Sequence, residues 1–142
     1  MKNFCKLAGM AGLMFLSFGL SAVAQIANGV DFTTSFPFYA GNAKMPAGAY
    51  TITQPADEDN TVLLIQSKDG SHTAFLDIAP TQAANPHPQT EVTFNKYGTT
   101  DYLAQVWVGG QSNGKQVIPT KVEKKAASNA AAEEHSVSAK AR

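Results

Sequence analysis

Apolar and polar residues alternate along the chain from Val30 onward, and this alternation is the main structural signal of the sequence. One face of the first such run is apolar, and the opposite face is largely polar. The apolar face holds Val30, Phe32, Phe36 and Phe38, and the opposite face holds Asp31, Thr33, Ser35 and Tyr39. A period of two is typical of a β-strand that turns its apolar face to a core.

Residues 36–52 predict two strands joined by a break and a tight corner. Gly41-Asn42 ends the first strand, because both residues tolerate positive φ angles. Residues 45–48, Met-Pro-Ala-Gly, have the composition of a type I or II turn. Tyr50 and Ile52 then resume the alternation, and we expect them to face the same core as the preceding phenylalanines. Pro37 cannot donate to a ladder, which indicates an edge position or a bulge.

Further short runs predict more strands and only one helix. The strand runs cover residues 62–65, 73–78, 91–97, 102–108 and 117–118, and the helix lies near residues 120–127. Six or seven short strands separated by turn residues indicate an all-β domain, built as a small antiparallel sandwich or barrel over residues 25–125. Residues 126–142 are rich in Ala, Ser, Lys and Glu without an apolar stripe, so we expect a disordered tail.

The N-terminus has the composition of a secretory signal peptide over residues 1–24. A basic start is followed by an apolar stretch at 7–20 and by Ala22-Val-Ala24, which predicts export and cleavage after Ala24. The alternative is an uncleaved anchor, but the apolar stretch is shorter than the ~20 residues that span a bilayer. Cys5, the only cysteine, would leave with the leader, so the exported form would have no disulfide.

Charge excludes two classes of partner. Loss of Lys2 and Lys6 leaves nine of the eleven basic residues against eleven acidic ones, a balance of −2 over 118 residues. This balance does not favour nucleic acid or an anionic membrane. We therefore expect no nucleic-acid partner and no stable membrane anchor after cleavage.

Residues 110–114, Gly-Gln-Ser-Asn-Gly, match the G-x-S-x-G nucleophile elbow of serine hydrolases. That motif requires a strand, a sharp turn and a helix, whereas Lys115 to Pro119 is a poor helix sequence. The only histidine downstream is His135, in the tail. We interpret the match as a hairpin turn and Ser112 as a turn residue, and we predict no enzyme activity and no catalytic residue.

No metal or cofactor site is indicated. His72, His87 and His135 lack metal-ligand neighbours at suitable spacing, and a catalytic zinc site needs three protein ligands. Asp57-Glu-Asp59 resembles half of a calcium loop, but it lacks the distal glutamate of an EF-hand. A solvated turn is the simpler interpretation of those acids.

Aromatic residues offer the one candidate binding surface, a patch of Tyr50, Tyr102 and Trp107 that would hold a glycan or peptide. The competing interpretation places these rings in the core or in cross-strand pairs. Trp107 shares a face with Leu103 and Gln105, opposite Ala104, Val106 and Val108. Trp107 is exposed if the small aliphatic face is core, and it anchors the core if not.

Two stretches of the sequence resemble a family of small exported bacterial β-rich proteins of unknown function. They are Phe-Pro-Phe…Gly followed by Met-Pro-Ala-Gly-Ala-Tyr-Thr-Ile at residues 36–52, and Tyr-Gly…Tyr-Leu-x-x-Val-Trp at residues 97–107. The likeness covers residues 30–125 and implies an exported β-domain. We therefore expect a non-enzymatic binding or structural module of the cell envelope, with a glycan or an envelope protein as partner. The alternatives are a small hydrolase that uses Ser112, and self-assembly through the strand that holds Pro37.

Overall fold

The computed structural model describes residues 29–55 and 60–142, which form ten β-strands and one α-helix. The strands are β1 Val30–Thr34, β2 Phe38–Ala40, β3 Ala43–Met45, β4 Gly48–Thr53, β5 Val62–Ser67, β6 Thr73–Gln82, β7 Glu91–Tyr97, β8 Thr100–Trp107, β9 Asn113–Val117 and β10 Ala132–Ala141. The helix α1 covers Lys121–Asn129. The predicted signal peptide, Cys5 and the acidic group at 57–59 lie outside the described residues.

Eight of the strands close into an antiparallel barrel. Its order is β1-β4-β5-β6-β9-β8-β7-β10, and β10 pairs back onto β1. The hairpin of β2 and β3 is attached outside this ring, where β2 runs parallel to β8 with Tyr39 opposite Tyr102. The all-β prediction is therefore confirmed, and the architecture is the barrel rather than the sandwich. The strand count is ten rather than six or seven, because the first run splits at Ser35–Pro37, the short strand β3 forms before the corner, and the tail adds β10.

Aromatic rings fill one part of the barrel interior. Phe32 stacks on Tyr50 with 5.7 Å between ring centroids, and Phe38 meets both Tyr50 and Phe94 edge-on at 5.2 Å. Offset and edge-on ring pairs of this kind add to the stabilisation from apolar burial. The expectation that residues 36–52 contribute core side chains is thus confirmed, since Phe38, Tyr50 and Ile52 are all buried.

The corner at residues 45–48 lies between β3 and β4, where the sequence predicts it. The Tyr50 hydroxyl donates to the backbone oxygen of Pro46 and so ties the turn to the strand that follows. Gly41 closes the β2–β3 hairpin with φ +60°, the left-handed region in which a glycine costs little. Pro37 precedes β2, which lies between β3 and β8, so the strand beside Pro37 is not the sheet edge that the self-assembly alternative requires.

The prediction that residues 126–142 are disordered is wrong. The tail continues α1 and then forms β10, which pairs with β7 from Ala132 to Ser138 and with β1 from Ala139 to Ala141. Each residue of β10 is therefore paired in one of the two ladders, and backbone pairing of this kind holds a strand that has no wide apolar stripe of its own. Among the described residues, no helix has the length and apolar character needed to cross a membrane.

Candidate functional site

The predicted aromatic patch does not exist as a surface. Tyr50, Tyr102 and Trp107 are 1%, 5% and 4% exposed, so none of them offers an open ring face. Tyr50 belongs to the core cluster, whereas Tyr102 and Trp107 lie outside it under different coverings. The interpretation of these rings as core or cross-strand residues is the one that the burial supports.

A bulge in β8 explains why the alternation misleads at Trp107. Thr93 lies opposite Gln105, but the next residue of β7, Phe94, lies opposite Leu103, which leaves Ala104 without a partner. The extra residue lets both Leu103 and Val106 reach the core, against a strict period of two. Trp107 therefore projects from the outer face of the barrel, opposite the core side of Val106, but it is buried there rather than exposed.

The outer face of Trp107 is covered by the loop that precedes β7. The imidazole of His87 stacks on the indole with ring centroids 4.0 Å apart and an interplanar angle of 14°. On the neighbouring strand, a Cβ at Gly114 would approach the indole to 2.5 Å, so only glycine fits beneath the ring. The His87 Nδ1 atom lies 2.9 Å from Oε1 of Glu91, which holds the imidazole over the indole.

The Gly-Gln-Ser-Asn-Gly motif forms the connection from β8 to β9, as the turn interpretation predicts. Its backbone holds the loop at 83–90: the Gln111 carbonyl accepts from His87 N at 2.9 Å, and the Ser112 carbonyl accepts from Ala83 N at 2.7 Å. A strand follows the motif where a nucleophile elbow needs a helix. Within the described residues, no hydrogen bond joins the Ser112 hydroxyl to a histidine.

Tyr102 is covered on the outer face of β8 by two tyrosines and a carboxyl group. Tyr39 stacks on it at 5.3 Å, and Tyr97 approaches edge-on at 5.8 Å. The carboxyl group belongs to Glu123 of α1, which is only 5% exposed. Burial raises the pKa of Glu123, against the opposing effect of a hydrogen bond with Asn95. Burial, with the nearby Tyr39 and Glu123, likewise raises the pKa of Tyr102.

The β5–β6 hairpin places Ser, His and Asp side chains together, but in an order that does not suit a triad. The hydroxyls of Ser67 and Ser71 each donate to Oδ1 of Asp69 at 2.6 Å. These hydrogen bonds hold the pKa of Asp69 well below its usual range. Nδ1 of His72 contacts the Ser71 hydroxyl at 2.8 Å and not the carboxylate. A triad needs the carboxylate on the imidazole, so this cluster is a hydrogen-bonded turn.

A second polar group, here called the mouth site, lies at the end of the barrel where β7 turns into β8. It is lined by Phe36, Lys96, Asp101, Glu133, Glu134 and His135, around a depression of about 290 Å³ that opens to solvent. Nε2 of His135 lies 2.5 Å from Oδ1 of Asp101. Asp101 is buried, with 7% of its surface exposed, whereas the His135 side chain is about one-third exposed.

Neighbouring strands assemble the mouth site by register. Lys96 on β7 lies opposite both Asp101 on β8 and Glu133 on β10, so charges of alternating sign cross three strands. His135 packs against Phe36 at 5.1 Å and Phe94 at 5.7 Å, which orients its ring toward Asp101. A partly exposed imidazole fixed on a buried carboxylate can donate or accept a hydrogen bond at a defined position.

Sequence reasoning missed the mouth site because His135 and Glu133 lie in the segment predicted to be disordered. Asp101 falls between the predicted strands at 91–97 and 102–108, and nothing in the spacing links position 101 to position 135. The signal that could have found the site is the weak apolar period of Val137 and Ala139 beside His135, which is the pattern of a polar barrel strand.

Within residues 29–55 and 60–142, no three His, Cys, Asp or Glu side chains converge as metal ligands. Comparisons with protein-family models, with curated proteins and with solved structures return no match for this chain.

Proposed function

We propose that this protein is an exported, non-enzymatic binding module of the cell envelope, and that it binds through the mouth site. The leader-like residues 1–24 support export. The observation that supports binding is the His135–Asp101 pair, a buried carboxylate that orients a solvent-facing imidazole. Since aromatic and aliphatic side chains occupy the barrel interior, the ligand contacts the end of the barrel rather than its inside.

The chemistry of the mouth site favours a ligand rich in hydrogen-bond donors. Asp101, Glu133 and Glu134 are acceptors, against a single cationic side chain, Lys96, and one imidazole. The Phe36 ring adds an apolar wall at the same depression. Sugar hydroxyls meet both features, so we propose an envelope glycan, with a peptide of an envelope protein as the competing ligand.

Arrays of envelope glycans, together with pull-downs from an envelope fraction, test this proposal. The exported form should retain a subset of glycans, and the double variant Glu133→Gln with Glu134→Gln should lose most of that signal. Asp77→Asn removes an exposed carboxylate on the outer face of β6 and serves as the matched control, with binding unchanged. No binding in either the glycan arrays or the pull-downs, or an equal loss of signal in the control, would contradict binding through the mouth site.

A hydrolase that uses Ser112 is the second candidate, and one observation favours it. The structure brings a histidine with a carboxylate on its Nδ1 atom, His87 with Glu91, next to the loop that contains Ser112. A serine hydrolase holds its imidazole in this way. A panel of ester substrates, assayed with Ser112→Ala and His87→Gln, separates the two functions. Turnover that both variants abolish would replace the binding proposal, and turnover that is absent or unchanged removes the enzyme.

A further inference from the structure

β10 differs from every other described strand in its burial. Each of the nine strands β1 to β9 contains at least one buried residue, whereas the ten residues of β10 are all exposed or half-buried. Only His135, Val137 and Ala139 are half-buried, and the two aliphatic residues pack on the core from its margin. The side chains of β10 therefore contribute little buried apolar area to the barrel.

Directional contacts hold β10 in its place. Its backbone pairs with β7 over seven residues and with β1 over three, and Ala139 N also donates to the Thr90 carbonyl at 3.0 Å. Within the strand, His135 pairs with Asp101, and just after its end Nε of Arg142 lies 2.8 Å from Oδ2 of Asp31. Such contacts specify the strand and its register, and they are available to any strand of the same sequence.

The connection into β10 is also weakly attached. In α1, Glu123 is the only buried residue, and Ala126 is half-buried on the same side. The carboxyl group of Glu123 faces Tyr97 on β7 and Tyr102 on β8. A helix that buries one ionisable side chain gains little free energy from docking, so it separates from the barrel at low cost.

We propose that β10 is an exchangeable strand, and that the slot between β1 and β7 accepts β10 from a second copy of this chain. A barrel that loses β10 exposes the unpaired edges of β1 and β7, which are strong templates for strand addition. A second copy presents the one sequence known to fit, with His135 for Asp101, Arg142 for Asp31 and Val137 for the core margin. Reciprocal exchange gives a symmetric dimer in which α1 crosses between the two barrels. This inference does not depend on the proposed function.

Cysteine cross-linking between differently labelled copies tests the exchange. Cys5→Ser gives a full chain without cysteine, because Cys5 is the only one. Two matched positions join β10 to β7: Glu133 opposite Lys96, and Ser136 opposite Thr93. One copy carries the β10 cysteine, Glu133→Cys or Ser136→Cys, and the other carries the β7 cysteine, Lys96→Cys or Thr93→Cys. Equal amounts are mixed in native buffer at high concentration, oxidised mildly, and analysed by mass.

Matched mixtures should give a disulfide-linked species of two chains that contains one of each copy. Mismatched mixtures, Glu133→Cys with Thr93→Cys and Ser136→Cys with Lys96→Cys, should stay mostly at one chain. The mismatch moves the cysteines by three residues, roughly 10 Å along a strand, beyond the reach of about 7 Å for a disulfide. Light scattering of the cysteine-free protein should show the mass rising from one chain to two as concentration increases.

A single chain that carries both cysteines of a matched pair is the control for register, and it should close an internal disulfide at low concentration. If that disulfide forms while matched and mismatched mixtures cross-link equally and light scattering shows one chain throughout, the exchange does not occur. If neither internal disulfide forms, β10 does not occupy this slot and the proposal fails with it.

Discussion

Strands β1 and β10 lie side by side in the barrel, yet the two ends of the described chain reach that position by different means. The N-terminal strands β1 to β4 bring buried aromatic rings, with Phe32, Phe38 and Tyr50 in mutual contact. The C-terminal segment, residues 121–142, brings α1 and β10, which contain one buried side chain between them, that of Glu123. The first region is held by apolar burial and the second by ladders and polar pairs.

The difference shows that a barrel strand need not resemble a core strand. Once seven strands with apolar inner faces define the barrel, the eighth needs only a compatible backbone and side chains that satisfy the polar groups beside it. Stability should therefore be unequal across the barrel, since local opening is easiest where few apolar contacts are lost.

The largest expected effect is in the N-terminal region. Phe38→Ala removes a ring that is fully buried between Tyr50 and Phe94, so the free energy of unfolding should fall by about 4 kcal/mol. Urea titration followed by circular dichroism measures the loss. Phe75→Ala, at a site that is 66% exposed, is the control and should change stability by at most about 0.5 kcal/mol. Equal losses at both positions would contradict the apolar account of this region.

The next effect tests the polar anchor of β10. Asp101→Asn weakens the pair with His135 in a buried setting, so stability should fall by roughly 2 kcal/mol. A double-mutant cycle with His135→Gln isolates the pair, and we expect a coupling of about 1 kcal/mol or more. Simple additivity of the two losses would show that His135 and Asp101 do not act on each other.

Glu123→Gln should make the protein more stable at neutral pH, by about 1 kcal/mol, because it replaces a buried carboxylate with a neutral amide. The folded state raises the pKa of Glu123 above the ordinary value of 4.5, so it binds the proton more tightly than the unfolded state does. The stabilising contribution of the protonated Glu123 carboxyl group is therefore complete below about pH 4.5, and it is lost as pH rises through the pKa of the folded state.

Chemical denaturation at pH 5 and pH 8 measures this contribution. The gain from Glu123→Gln should be larger at pH 8, whereas Asp77→Asn, at an exposed carboxylate, should show no such trend. A variant that is less stable than the parent at pH 8 would mean that the carboxylate helps to dock α1.

The smallest effect concerns Asp31 on β1, whose carboxylate pairs with Arg142 and Lys68. Hydrogen bonds from Arg142, Thr51 and Lys68 outweigh the opposing effect of burial and hold the pKa of Asp31 well below its ordinary value of 3.8. Its contribution is therefore present above pH 3.8 and is lost as pH falls toward the lowered pKa. Asp31→Asn should cost about 0.5 kcal/mol at neutral pH, because Arg142 and Lys68 are largely exposed.

Acid titration of Asp31→Asn against the parent checks that sign. The difference between the two proteins should shrink as pH falls below 3.8. A difference that stays constant down to the acid transition would mean that Asp31 does not contribute as a paired carboxylate.

The sequence predicts those parts of the fold in which the local pattern of residues determines burial and turn geometry. The alternation at Phe38, Tyr50 and Ile52 and the corner at residues 45–48 lead to the right strands, because apolar burial and turn geometry are local signals. Phe36, in the same alternation, lies in the bend between β1 and β2. The environment of Trp107 is not set locally. The unpaired residue Ala104 inverts the alternation between Leu103 and Trp107, and His87 from a loop covers the indole. Neither effect has a local signature.

The mouth site lay beyond sequence reasoning for a related reason. Asp101 and His135 are 34 residues apart in the chain. Their contact exists only because β8 and β10 pair with opposite sides of the same strand, β7. Strand order is a property of the whole chain, and β10 could not be placed without an apolar stripe to identify it.

Native-state hydrogen exchange across β10 tests the central claim most directly, because it compares the opening of this strand with that of the core strands in one protein. We predict that amides of β10 paired with β7, such as those of His135 and Val137, exchange through an opening that costs less free energy than global unfolding. Amides of β4, such as those of Tyr50 and Ile52, should exchange only with global unfolding. Equal opening free energies in β10 and β4 would contradict the account, since they would show that the polar-anchored strand is as firmly held as the aromatic core.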